Sequence, residues 1–77
     1  MESNRQLAEA QDHLEDCERR ALDQERKVKH LINTGAPHAD AVTLLRLLQD
    51  ALQLAEINRD IQEIVALAIE DAELRLN

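Results

Sequence analysis

Chains below about 80 residues rarely bury enough apolar surface to be stable alone and rely on disulfides, a metal or self-association; here 77 residues carry one cysteine, Cys17, which excludes an internal disulfide. Hydrophobic residues are 44% of the chain, too many for disorder, and with no aromatic, one Gly and one Pro this is the make-up of long helices. A net charge of −7 excludes a nucleic-acid or anionic-membrane binder, which needs a basic footprint. The start, MESNRQ, has no apolar core of a signal peptide, and the longest apolar run is Ile64–Ile69, far short of a spanning helix. The expected setting is therefore the reducing cytoplasm.

The first predicted element is a helix over about Asn4–Asn33, with Ser3 and Gln6 as a capping box. Glu9 and Asp12 lie early, and Lys27, Lys29 and His30 lie late, which complements the helix dipole. Its apolar positions follow a strict heptad. Leu7, Leu14, Ala21 and Val28 form one row, and Ala10, Cys17, Gln24 and Leu31 the other. The outer faces are charged, with Glu15–Arg19, Asp16–Arg20, Asp23–Lys27 and Glu25–Lys29 at i,i+4 spacing, the acid first in each pair. A narrow dry stripe on a wet cylinder predicts an outer helix. Gln24 interrupts the stripe. The plain reading is an amide tolerated at the rim, and the sharper one is a register-setting contact.

The break signals lie together in Asn33-Thr-Gly-Ala-Pro-His38. Gly35 suits the left-handed position after a helix, and Pro37 the first turn of the next. The spacing predicts a turn over 34–36 and a second helix over about Pro37–Leu76. That helix carries two apolar seams. Ala41, Leu45, Leu48, Leu52 and Ala55 form the first. The second runs through Leu44, Leu47, Ala51, Leu54 and Ile57, then Ile61, Ile64, Ala68 and Ala72. Two seams make a face wider than one partner helix covers.

Folding antiparallel about Gly35 pairs Val28 with Leu45, Ala21 with Leu52 and Cys17 with Ala55, and brings Leu7 to about Val65. At 1.5 Å per residue the helices are roughly 45 and 60 Å long, so the second overhangs the first. Leu67, Ala68, Ile69, Ala72, Leu74 and Leu76 lie in that overhang. The expected architecture is a single all-α domain over 1–77, an antiparallel helical hairpin that pairs into a homodimeric four-helix bundle with both long helices inside. Its hairpin core is Leu7, Leu14, Cys17, Ala21, Val28, Leu31, Leu45, Leu48, Leu52 and Ala55. Its dimer or partner interface is Leu47, Leu54, Ile57, Ile61, Ile64, Leu67, Ala68, Ile69 and Ala72.

Chemistry-bearing groups are few. Glu9, His13 and Cys17 at i, i+4, i+8 could ligate a metal, but Cys17 sits at a core position, where a free thiol acts as a small hydrophobe. His30 and His38 flank the turn, and His30 is accounted for as a late-helix cation. His13 departs from the phosphoacceptor of dimeric histidine kinases, because Leu14 stands where those carry an acid. Glu70, Asp71 and Glu73 read as a solvated face. There is no Gly-rich phosphate loop, and a helical hairpin offers few concave pockets. The expectation is no catalysis, cofactor or metal, and a protein–protein interaction, regulatory or scaffold role. The main alternative is an acidic mimic of DNA that blocks a nucleic-acid enzyme.

The stretch ERRALDQERKVKHLINTGAPHADAVTLLRLLQDALQLAEINRDI, Glu18–Ile61, resembles a family of short proteobacterial helical-hairpin proteins. In these a helix rich in Arg, Gln and Glu ends on a Leu–Gly turn, and a Leu- and Ala-rich helix with an Arg-Asp pair follows. The matching positions are Leu31, Gly35, Ala39, Ala41, Leu44, Leu45, Leu48, Ala51, Leu52, Arg59 and Asp60. Pro37 and the long apolar tail after Asp60 depart from the family pattern. The resemblance implies a hairpin and a bacterial source, and no activity. A weaker likeness is to the small helical-hairpin chaperones of type III secretion.

Overall fold

The computed structural model describes residues 2–76, with the side chains of Glu2 and Ser3 outside the description, so the Ser3 half of the expected capping box lies there too. Two α-helices account for nearly all of it: α1 over Glu2–Asn33 and α2 over Ala39–Leu76. They fold back on each other as a rod whose Cα extents are 65 × 14 × 13 Å. The described residues contain no strand.

The hinge explains its own sequence. The amide of Ala36 donates to the carbonyl of Leu31 at 2.9 Å, and that of Gly35 to Ile32 at 3.1 Å. This is the Schellman arrangement, and Gly35 occupies its left-handed position at φ +73. The Thr34 hydroxyl donates to the carbonyls of His30 and Leu31, satisfying more of the exposed helix end.

The second helix starts two residues later than the sequence suggests. His38, not Pro37, is the boundary, since its carbonyl accepts the first helical bond from the Val42 amide at 2.9 Å. Pro37 and His38 therefore stand outside the first turn, and the link widens to Thr34–His38. Pro37 stands just before that boundary, where its missing amide costs the helix no bond. The His38 ring nitrogen Nδ1 lies 3.1 Å from the Ala36 carbonyl across that gap.

Leu14, Cys17 and Ala55 form the packed centre, with Leu52 against them. Ala10, Ala21, Val28 and Gln24 complete the buried set. Leu7, Leu31, Leu45 and Leu48 are half-buried. Among the described residues no side chain falls below 2% exposure. A core made largely of Ala, Cys and three or four branched residues gains little, because each fully buried large aliphatic contributes only about 1.5–3 kcal/mol.

Two of the four expected i,i+4 ion pairs form, and two are replaced. Asp16 takes both Arg19 and Arg20, the latter at 3.0 Å, so Arg19 turns to Asp16 and not to Glu15. Asp23 meets Arg26 at 4.0 Å in place of Lys27, while Glu25–Lys29 forms at 3.1 Å. All are solvent-facing pairs, where i,i+3 and i,i+4 partners compete on nearly equal terms.

Candidate interaction surface

The face of α2 turned toward α1 continues beyond the predicted first seam. Ala41, Leu45, Leu48, Leu52, Ala55, Arg59, Gln62 and Ala66 recur at alternating spacings of four and three, and all are buried or half-buried. After Ala55 this line turns polar. Gln62 and Asn58 border an open cleft of about 340 Å³ with Gln6, Glu9, Ala10 and His13. Val65 is 38% exposed. Sequence reasoning missed Arg59 and Gln62 as inward positions. The first seam carried on at the same spacing would have found them.

Gln24 corrects the plain reading of a rim amide. It is 8% exposed, and its Nε2 donates across the hairpin to the Ala41 carbonyl at 3.0 Å. No buried side-chain nitrogen or oxygen among the described residues lacks a hydrogen-bond partner. An interhelical bond at one position in an otherwise apolar stripe is the arrangement by which polar seam residues select a register.

The second seam faces elsewhere. Leu44, Leu47, Ala51, Leu54, Ile57, Ile61, Ile64, Ala68 and Ala72 are all exposed. Leu54 is 67% open, Ile64 66% and Leu67 61%. Past Ala66 every described residue is exposed, including Ile69 and Leu74, because α1 has run out. At 100° per residue the centre of this face is about 130° around the helix from the one that α1 covers. The interface residues expected from sequence, Leu47 through Ala72, are all exposed, with Ile69 on the α1-facing line past the end of α1 and not on the second seam.

The catalytic and metal candidates do not assemble. His13 Nε2 lies 3.6 Å from Cys17 Sγ, one turn along the same helix, and Glu9 is engaged with Arg5 at 3.4 Å. Among the described residues no three His, Cys, Asp or Glu side chains converge on a point that could hold a metal ion. Cys17 itself is buried in the hairpin centre. Arg59 is the group whose titration is moved: its hydrogen bond to Asp60, with the nearby charges of Asp60, Glu63 and Glu56, holds its pKa above the ordinary value. That strengthens a cation already charged at every working pH and supplies no acid or base for catalysis.

No helix among the described residues is long and apolar enough to cross a membrane. A scan of protein-family models, a search of curated proteins and a search of solved structures each returned no match. What stands without them is the fold: an all-α, two-helix hairpin whose longer helix carries an uncovered apolar flank.

Proposed function

We propose that the protein is a non-enzymatic protein–protein interaction module, bacterial and cytoplasmic, that acts as a homodimeric four-helix bundle. The observation that carries this is the second seam of α2. Its six large aliphatic side chains, Leu44, Leu47, Leu54, Ile57, Ile61 and Ile64, are between 45% and 67% exposed. At about 180 Å² for each fully open side chain they present roughly 600 Å², the upper end of what a monomer leaves as one apolar patch. Monomeric proteins rarely leave a patch of that size wet. A second copy is the occupant that matches it in length, because the seam runs almost the whole of α2 and the same seam on another chain is equally long. Closed twofold pairing of one patch with itself is the commonest solution for such a surface. In the dimer the two α2 helices are central, and the α1 helices, dry on one stripe only, stay outside. The role is then binding or scaffolding through the charged outer surface.

The acidic-mimic alternative is weaker. Arg5, Arg19, Arg20, Arg26 and Lys29 pair with acids along α1, so that helix offers no unbroken acidic row.

Sedimentation equilibrium over a hundredfold concentration range tests the proposal. A mass of two chains, falling toward one on dilution with loss of helicity, is expected. A folded single chain at the highest concentration would overturn it.

A further inference from the structure

We infer that the two copies pair antiparallel along α2, with the twofold axis passing at Ile57 and Asn58. This rests on the dimer proposed above and adds its orientation. Two independent observations carry it.

The first is charge. Residues 2–17 hold five acids and one base, and residues 56–76 hold six acids and two bases, so the open end of the hairpin carries a net −8. Residues 18–55, around the hinge, hold five acids and six bases, a net +1. The hairpin is a 65 Å rod with its negative charge at one end. Parallel pairing sets −8 beside −8. Antiparallel pairing sets each acidic end beside the nearly neutral hinge half of the partner. Like charges side by side over several turns weaken an interface, and this orientation keeps them apart.

The second is side-chain size. The seam reads Leu, Leu, Ala, Leu in its first half, at 44, 47, 51 and 54, and Ile, Ile, Ala, Ala in its second, at 61, 64, 68 and 72. Paired parallel, each layer meets itself: Leu on Leu near the hinge, Ala on Ala at 68 and 72. Such an interface pinches at one end and gapes at the other. Paired antiparallel about Ile57 and Asn58, Leu44 meets the partner's Ala72, Leu47 the partner's Ala68, Ala51 the partner's Ile64, and Leu54 the partner's Ile61. Each layer then holds at least one large residue and no two alanines meet. Packed helices keep a near-constant axial separation of about 8–10 Å, which needs layers of similar volume. The same axis sits at the midpoint of α2, so both helices overlap along their whole length. The exposed overhang of each chain falls on the hinge-end seam of the other.

The test is a spin label at Asp71→Cys in a Cys17→Ala background, measured by pulsed dipolar spectroscopy, with the mass of labelled and unmodified chains taken at the same concentration. Asp71 is exposed beside the seam, 13–14 residues from the axis. A dimeric mass with a label separation of about 40 Å is expected, from twice that offset at 1.5 Å per residue. A dimeric mass with the labels within about 20 Å, the width of two helices, overturns the orientation and leaves the dimer. A single-chain mass for the unmodified protein overturns both.

Discussion

Leu54→Asp separates a hairpin that works alone from one that needs a second copy. Leu54 is 67% exposed in the single chain. If the chain functioned alone, the change would be a surface substitution, worth within about 0.5 kcal/mol of stability. If α2 pairs with its copy, the remaining two-thirds of that side chain is buried on association. At about 1.5–3 kcal/mol for a whole leucine, this is roughly 1–2 kcal/mol per copy. The twofold axis counts it twice, giving about 2–4 kcal/mol per dimer before any cost of burying two carboxylates. Every 1.4 kcal/mol is a factor of ten in Kd, so the dissociation constant should rise by about 30-fold to 1,000-fold or more. Sedimentation reads the change directly. Thermal unfolding at two concentrations reads it again, because coupled folding and association make Tm depend on concentration. Unchanged mass and unchanged Tm at every concentration would refute the reasoning.

Three further outcomes follow from particular positions. Leu52→Asp should abolish the hairpin, with loss of most far-UV helicity, since Leu52 packs on Leu14, Cys17 and Ala55 and a charge there has no partner; helicity and Tm equal to the parent would contradict the first-seam assignment. Gly35→Ala should lower stability by about 1 kcal/mol through backbone strain alone, because φ is +73 and a Cβ there meets no atom within 4 Å; a neutral result in urea unfolding would contradict the Schellman hinge. Cys17, 7% exposed, should react with a water-soluble disulfide reagent far more slowly in buffer than in urea; equal rates would contradict its burial.

Much of this architecture was legible in the residues. Heptad spacing marked the α1 stripe, and Asn33-Thr-Gly-Ala-Pro-His38 marked the hinge, because both signals are local. A left-handed residue after a helix needs glycine wherever the rest of the chain goes. Periodicity also marked two seams on α2. The start of α2 was displaced by two residues because Pro37 fits a first turn and fits equally well just before one; the backbone bond from Val42 to His38 decided between them.

Chain order alone determined that there are two helices, that the later one is longer, and that apolar residues wrap more of it than one neighbour covers. Those properties follow from periods of 3.5–3.6 residues and need no long-range contact. Only the tertiary structure decided how far the line that meets α1 runs past Ala55, to Ala66. It also decided that the shared line turns polar at Arg59 and Gln62, and that Gln24 reaches Ala41 from inside the seam and not from its rim. The physical reason is that side-chain spacing sets which residues share a face, whereas the register between two helices depends on how their surfaces interlock across the gap.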